Sequence, residues 1–495
     1  MRARSVSVRG SALCALALLA SAVLTASAQE KRPPRKGPDR DGPSDDVRFL
    51  FKTEVPAHPL DVVLGRPTAD AVTLSVRTAF EGEGMVVYGA AEGAVKKQRE
   101  TPLFALSAGV PREVVLSGLP ADTRCTYELR TRVGGGKGGG WKAEPVRSFH
   151  TQRAPGGSFA FTLQADPHLD YNTDPVLYLR CLGNALADEP DFHIDLGDTF
   201  MTDKHRGRET AAAQYVAQRY YFGHIAHSAP LFLVLGNHDG EAGRWLDGTT
   251  DNLAVWANAQ RKRNFPNPVP DAFYTGNTTP DPQAGLLQNY YAWVWGDAEF
   301  VVLDPFWYTK RGRGGANDEW AWTLGREQYD WLGKTLAESR AKFRFVFLHH
   351  LVGGRGRDSR GGVEAAPLYE WGGHDPDGTD RFGEKRPGWG LPIHDLLVKH
   401  RVSVVFHGHD HLFVKQELGG VVYQEVPQPG HPRYDNTRSA EEYGYLSGVL
   451  QGSAGHLRVR VSPGSAVVDY VRAYMPGDEG GSRRNGGVSF SYELR

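Results

Sequence analysis

The chain has 495 residues, with 57 Lys and Arg against 58 Asp and Glu, and its formal net charge is −1. Hydrophobic residues make up 40% and charged residues 23%, a globular composition that excludes a collagenous, coiled-coil or polytopic membrane protein. The near-zero charge gives no reason to expect nucleic acid as a partner, and three cysteines cannot build a disulfide framework. The length predicts two or three compact units.

The first 28 residues have the pattern of a secretory signal peptide. Three arginines within the first nine residues precede an apolar run at 12–24, and the small residues at 26–28 fit a cleavage site. An uncleaved anchor is the alternative. We expect residues 1–28 to be removed, no membrane span to remain, and the protein to be exported to the periplasm or the extracellular space. Residues 29–46 alternate charges with prolines and predict a disordered linker.

Residues 47–152 carry short segments of alternating hydrophobicity, such as 71–77 and 125–130, which are separated by glycine- and proline-rich turns. This spacing predicts an antiparallel β-sandwich. The segment 116–127 resembles the corner of fibronectin type III domains, and in that resemblance Tyr127 is a buried anchor of the core. The region lacks a cluster of ligand-type residues, so we expect its role to be structural or in docking.

The pattern changes to strand–helix alternation over residues 156–475. Such alternation predicts an α/β domain centred on a sheet, with helices on its faces. Residues 445–474 predict further strands without long helices, and the Gly- and Arg-rich residues 476–495 predict a flexible tail. The strands are predicted at 158–163, 192–196, 231–235, 300–304, 343–348 and 402–406, and the helices at 175–188, 209–228, 328–340 and 391–400.

Polar clusters that can carry chemistry follow five of these apolar strands. Loops at the carboxyl ends of such strands converge on one side of a sheet, where ligands bind. Carboxylates, an amide and imidazoles without thiolates suit a pair of divalent metal ions, which together activate a water and neutralise a phosphoryl transition state. The clusters are Asp166-Pro-His168, Gly197-Asp198, Gly236-Asn237-His238-Asp239, His349-His350 and Gly408-His409-Asp410-His411.

These five clusters, in this order, resemble the signature of calcineurin-like metallophosphoesterases, and the preceding sandwich resembles the N-terminal domain of purple acid phosphatases. The resemblance implies two metal ions (Fe, Mn or Zn), a hydroxide nucleophile held by them, and a small phosphomonoester or phosphodiester as substrate. It also implies the role of each residue: Asp166, His168 and His411 hold one metal, Asn237, His349 and His409 hold the other, Asp198 bridges them, and His238 donates a proton to the leaving group.

The sequence departs from the family pattern at two positions. Purple acid phosphatases have a metal-binding Tyr three residues after the bridging Asp, where this chain has Met201, so the resemblance assigns that ligand role to His168 instead. The family often has a Pro two residues after the strand-end His, where this chain has Leu351, and this leaves open whether His349 or His350 is the ligand. Strand alternation and the order of the family motif favour His349, and His350 would then contact substrate or orient a ligand.

Other features allow both a functional and a structural interpretation. The long segment 352–390 is typical of a lid or binding wall. Its arginines either contact a phosphate of the substrate or belong to a solvated loop, and Arg355 is our candidate for the phosphate contact. His193, inside a predicted strand, is interpreted as structural, and His456 is ambiguous. The other arginines of the segment 352–390 considered for the phosphate contact are Arg357 and Arg360.

A secreted binding or adhesion protein with a relic site is the alternative function, but no predicted metal ligand is missing.

Overall fold

A computed structural model describes most of the chain beyond the N-terminal region. Val47–Arg495 belong to one compact unit. Among the residues described, no helix is both long and apolar enough to cross a membrane. The predicted signal peptide (1–28), the predicted linker (29–46) and Arg357 lie outside the described residues. The described ranges are 50–91, 98–134, 140–310, 318–356 and 359–495.

The N-terminal region consists of antiparallel strands in two sheets. Its strands are β1 Leu60–Gly65, β2 Ala71–Thr78, β3 Gly82–Ala90, β4 Arg99–Glu100, β5 Phe104–Leu106, β6 Arg112–Ser117, β7 Arg124–Val133, β8 Lys142–Ala143 and β9 Arg147–His150. One sheet has the order β1-β2-β6, and the other β4-β3-β7-β8, with β5 on β3 and β9 on β7. Tyr127 lies buried in the core of this sandwich, as predicted. The specific likeness to fibronectin type III domains stays a prediction.

Strands and helices alternate through the following region, which confirms the predicted α/β class. The strands are β10 Phe159–Gln164, β11 Phe192–Asp195, β12 Leu231–Leu233, β13 Thr275–Gly276, β14 Tyr291–Trp295, β15 Ala298–Val302, β16 Phe343–Phe347, β17 Val404–His407, β18 Phe413–Leu418, β19 Val421–Glu425, β20 Val449–Gln451, β21 Gly455–Val461, β22 Ala466–Arg472 and β23 Val488–Leu494. The helices are α1 Pro175–Ala187, α2 Arg208–Ala226, α3 Leu253–Asn264, α4 Arg326–Glu338, α5 Tyr369–Gly372, α6 Phe382–Lys385, α7 Ile393–Lys399 and α8 Ser439–Glu442.

Two mixed sheets share one hydrophobic core. Their orders are β12-β11-β10-β21-β22-β23 and β13-β14-β15-β16-β17-β19-β18-β20. Phe161 and Phe192 of the first sheet pack against Phe300 of the second, with ring centroids 5.1 Å apart in both cases. The strands β10 to β12 run parallel in the first sheet and β15 to β17 in the second, so within each sheet their carboxyl ends lie together. Helices cover the outer faces, so the parallel strands β11, β15 and β17 are buried along their whole length.

The helices form where local sequence favours them and pack through apolar faces. Helix α1 has Asp174 as its N-cap, whose side chain accepts from two backbone amides of the first turn, and Pro175 at its first position. Helix α4 buries Tyr329, Leu332 and Leu336, the face that the sequence predicts. This spacing of three and four residues places all three side chains on the sheet-facing side of the helix.

The prediction of a flexible tail at 476–495 is wrong for its last part. Strand β23 pairs antiparallel with β22 and extends the first sheet by one strand. Its alternating sequence puts Phe490, Tyr492 and Leu494 on one face, where they pack against the shared core. The glycine- and arginine-rich stretch before it dominates the composition and obscures this period of two.

A fully buried ion pair joins the sandwich to the α/β region. Arg219 of α2 donates from Nε to Asp61 Oδ1 of β1 (2.7 Å) and from Nη1 to Ser75 Oγ of β2 (3.0 Å). The Arg219 side chain has no exposed surface, and that of Asp61 is 4% exposed. Because both charges are desolvated, neither can lose its partner without a large cost.

Candidate metal centre

The predicted ligands come together at the carboxyl ends of five strands. Each follows a buried apolar strand, so the sheets hold the start of every loop in place. Asp166 and His168 follow β10, Asp198 follows β11, Asn237 follows β12, His349 follows β16, and His409 and His411 follow β17.

Asp166, His168 and His411 form the first group that could hold a metal ion. One ligand atom from each lies within 4.8 Å of the others. Asp166 Oδ1 is 3.4 Å from His168 Nε2 and 3.3 Å from His411 Nε2. Asp166 Oδ1 and His168 Nε2 are buried without a hydrogen-bond partner. Buried polar atoms are costly without a partner, so these orphaned atoms fit a cation between them.

Asp198, His349 and His409 form the second group, and their ligand atoms also lie within 4.8 Å of one another. His349 Nε2 is 3.3 Å from Asp198 Oδ2 and 3.2 Å from His409 Nδ1. Asn237 Oδ1 is buried without a hydrogen-bond partner, as a ligand oxygen for the same ion would be. The residues present therefore fit two metal ions.

Asp198 lies between the two groups. Its Oδ2 is 3.3 Å from His349 Nε2 in the second group and 3.7 Å from His168 Nε2 in the first. Its Oδ1 accepts a hydrogen bond from the backbone amide of His238 (2.8 Å). Burial raises the pKa of Asp198, but the positive charges of His349 and His238 outweigh it and hold that pKa well below its usual value. An ionised carboxylate at this place suits the bridging role that the family resemblance assigns to it.

The geometry favours His349 over His350 as a ligand. His349 Nδ1 lies 2.9 Å from the Leu196 carbonyl oxygen, which can only accept, so Nδ1 donates there and Nε2 is the ring nitrogen that faces the group. His350 belongs to neither group. Its ring packs edge-on against Trp322, at 4.7 Å between centroids, and burial lowers its pKa to about 3.

The comparisons with known proteins agree with this site. The sequence model of the calcineurin-like phosphoesterase family matches residues 160–413, which include all the predicted ligands. This chain belongs to that family. It is accordingly a hydrolase of phosphoric esters, and the predicted enzyme class is confirmed. A search of curated proteins finds no match.

Solved structures resemble this phosphoesterase over most of its length. A structure of PhoD aligns with a TM-score of 0.59 and 15% identity, covering 83% of this chain and 86% of that one. The purple acid phosphatase PPD1 from seeds of yellow lupin (Lupinus luteus) aligns with a TM-score of 0.56 and 16% identity, covering 87% of this chain and 73% of that one. At such identities the likeness shows the fold alone.

In this phosphoesterase, His238 sits beside the second group and is held by an acidic partner. Its Nδ1 lies 2.9 Å from Asp203 Oδ1, and its side chain is 22% exposed. Asp203 Oδ2 accepts from Arg244 Nη2 (3.0 Å), which also donates to the Asn237 carbonyl (3.1 Å). Burial raises the pKa of Asp203, but the His238 charge and hydrogen bond outweigh it and lower that pKa. Sequence reasoning missed Asp203 and Arg244, because no motif marks them.

Buried carboxylates fix the loops that carry the predicted ligands. Asp239 accepts from the backbone amides of Asp198 (3.1 Å), Phe200 (2.7 Å) and Gly236 (2.7 Å), which ties the loops after β11 and β12 together. Gly236 is required there, since a Cβ would lie 2.0 Å from the Asp198 amide nitrogen. Asp239 therefore has a structural role in the Gly-Asn-His-Asp motif.

A second carboxylate holds the last motif. Asp410 Oδ2 accepts from the amide of Gly361 (2.8 Å) and the hydroxyl of Tyr445 (2.7 Å), and Oδ1 accepts from Arg360 Nη1 (3.0 Å). Arg360 also donates to the His409 carbonyl (2.5 Å). Arg355 is exposed, and its side chain lies against Gly444. Arg360 thus holds the loop that carries the predicted ligands His409 and His411, and phosphate binding by Arg355 stays a prediction.

Several predicted ligands adopt a backbone conformation that non-glycine residues rarely take. The φ angles are +57° at Asp166, +53° at Asp198, +82° at His409 and +60° at His411. Each such residue costs about 1–3 kcal/mol and persists only where its surroundings force it. Their concentration at one place agrees with a functional site.

The remaining sequence candidates have structural surroundings. His193 is buried, its Nδ1 lies 2.8 Å from Thr162 Oγ1, and burial lowers its pKa to about 3. His456 Nε2 lies 2.8 Å from Asp188 Oδ2. Met201 is buried at the position where purple acid phosphatases have their tyrosine.

Proposed function

We propose that this protein is an exported phosphoesterase that hydrolyses phosphomonoesters or phosphodiesters at a centre of two metal ions. Two such ions would neutralise the phosphoryl oxygens and lower the pKa of a water molecule. Asp166, His168 and His411 would hold one ion, and Asn237, His349 and His409 the other, with Asp198 bridging. The observation that carries the proposal is the pair of adjacent ligand groups with Asp198 between them.

His238 is the residue that we assign to the leaving group. The Asp203 carboxylate accepts from Nδ1, so Nδ1 carries a proton and Nε2 is available on the other side of the ring. A protonated Nε2 would donate to the leaving oxygen as the ester bond breaks. The partial exposure of His238 leaves room for substrate beside it. The tie between its backbone amide and Asp198 keeps the ring near the metal centre.

The proposal of export is supported by the sequence of residues 1–28. Positive charge, an apolar run and small residues follow one another in the order of a secretory signal peptide. Fractionation of the native host, with protein detected by an antibody to residues of the folded unit, tests this part. Accumulation of the full-length chain in the cytoplasm would contradict it.

The catalytic part is tested by metal analysis of the purified protein beside a panel of phosphomonoesters and phosphodiesters. We expect two metal ions per chain and hydrolysis that a chelator abolishes and added metal restores. Asp198→Asn should lower metal content and turnover together. His400→Ala is the matched control, because His400 precedes β17 and so lies at the opposite end of the strand from the ligands. A folded, metal-loaded protein that hydrolyses none of the esters would refute the proposal.

A further inference from the structure

Residues 428–445 form a wall beside the metal centre, and both ends of this wall are tied to ligand-bearing loops. At one end, Gln428 Nε2 donates to the carbonyl of Asp166 (3.0 Å). At the other end, the Tyr445 hydroxyl donates to Asp410, which lies between two predicted ligands in sequence (2.7 Å). The segment therefore leaves one ligand-bearing loop and returns to another.

The wall is fixed by contacts with the rest of the fold. Tyr434 is buried, its hydroxyl donates to Asp478 Oδ2 (2.9 Å), and its carbonyl accepts from Arg472 Nη2 (2.9 Å). The Gly430 carbonyl accepts from the amide of Asp174, the N-cap of α1 (2.8 Å). A surface held in this way is ordered before any ligand arrives, which lowers the entropic cost of binding.

An open cavity of about 690 Å³ lies on this wall, and polar side chains line it. They include Arg433, Arg438, Asn436 and Ser439. Arg433 and Arg438 are exposed, and neither takes part in an ion pair within the described ranges 50–91, 98–134, 140–310, 318–356 and 359–495. Of the two acidic residues at the cavity, Asp435 is already paired with an arginine outside it. The two guanidinium groups are thus available to an anion.

The cavity follows directly in sequence from the part of the wall that contacts the loop after β10. The carbonyl of Gly430 accepts from Asp174 (2.8 Å), and in the same loop His168 Nδ1 lies 3.4 Å from Asp170 Oδ2. The backbone amide of Arg433 donates to His431 Nδ1, next to Gly430 (3.2 Å). The first cavity arginine is therefore three residues from a contact with the loop that carries Asp166 and His168.

We propose that this cavity binds a second anionic group of the substrate, through Arg433 and Arg438. That group would be a phosphate or carboxylate separated by several bonds from the phosphate that is hydrolysed. Guanidinium groups match both anions, because their N–H donors form paired hydrogen bonds to two oxygens. The inference rests on the proposed phosphoesterase function and adds a substrate class to it: esters with two anionic groups.

The test compares linear alkanediol bisphosphates of increasing chain length with the corresponding monophosphates, which end in a neutral hydroxyl. The ratio of kcat/KM between each pair should pass through a maximum at the chain length that spans the two sites. Arg433→Ala/Arg438→Ala should lower that ratio at least about tenfold, because the loss of a single charge-assisted hydrogen bond already has that effect. Added salt should lower it too, since both arginines are exposed.

Two controls accompany the double variant. Arg433→Lys/Arg438→Lys keeps the charge and should retain part of the preference. Arg112→Ala removes an exposed arginine from the sandwich and should leave the ratio unchanged. If the parent hydrolyses both series with equal kcat/KM, or the alanine variant keeps the preference, the inference is overturned while the phosphoesterase function stands. If the metal-loaded protein hydrolyses neither series and no aryl phosphate, both the inference and the proposed phosphoesterase function are overturned.

Discussion

Asp203→Ala tests the assignment of His238, because it removes the carboxylate that holds the His238 ring without touching a predicted ligand. The hydrogen bond between His238 Nδ1 and Asp203 Oδ1 is 2.9 Å long, and His238 is 22% exposed. Hydrogen bonds to charged groups are worth about 1.5–3 kcal/mol, and exposure favours the lower end. A loss of about 1.5 kcal/mol in the transition state corresponds to a drop of roughly tenfold in kcat.

The identity of the leaving group separates this role from a structural one. A poor leaving group such as an alkyl alcohol needs a proton from His238, whereas p-nitrophenolate leaves without one. We therefore expect Asp203→Ala to slow alkyl phosphates by about tenfold and p-nitrophenyl phosphate by much less. His238→Ala should slow alkyl phosphates by about 10²–10⁴-fold with metal content unchanged.

The double variant completes the assay. If Asp203 acts only through His238, adding Asp203→Ala to His238→Ala should cost little more, because the two residues act as a unit. Asp203→Asn is the matched control for shape, and metal analysis checks that Arg244, which also contacts Asp203 and the Asn237 carbonyl, has not shifted the second group. Equal losses for both leaving groups, together with additive losses in the double variant, would refute the reasoning.

The remaining predictions concern the metals and the sandwich. Asp198→Asn should lower metal content in both groups, and loss of only one ion in its metal analysis would contradict a bridge. His349→Ala should remove one metal ion while His350→Ala keeps two, and the reverse result would exchange their roles. Arg219→Met should lower the free energy of unfolding by about 3–5 kcal/mol in urea titrations, because it leaves Asp61 buried without its main partner. The Arg219→Met/Asp61→Asn double variant should lose less, because it also removes the charge of Asp61. If it loses as much free energy of unfolding as Arg219→Met alone, the unpaired Asp61 charge is not the cause of the loss.

The predicted ligands and their position at the ends of strands follow from the sequence and its family resemblance. Each cluster stands directly after an apolar strand, so the sequence predicts that the clusters gather at the carboxyl ends of strands. Asp166 after β10 and His349 after β16 do so, although their two strands belong to different sheets. The confirmed family adds to this reasoning but does not change the residues. The same local logic placed helix α4, whose apolar spacing alone defines its buried face.

Only the tertiary structure shows how these residues are grouped. Sequence order cannot tell that His411 approaches Asp166, because that contact depends on the angle at which two loops leave their sheets. The hydrogen bond between Asp203 and His238 cannot be predicted from the sequence either, because no motif places the two residues at a fixed spacing. Strand β23 escaped prediction for a related reason: its short alternating pattern becomes a strand only because β22 offers it an open edge.

The physical reason for this division is the range of the forces involved. Hydrophobic periodicity and turn chemistry act between residues a few positions apart, so a sequence displays them directly. Ion pairs, orphaned ligand atoms and positive φ angles at Asp198 and His409 result from side chains that meet across the fold. The geometry of these contacts depends on how helices and strands pack against one another. The Arg219–Asp61 pair, which fixes the sandwich to α2, is for this reason not indicated by hydrophobic periodicity or by turn residues.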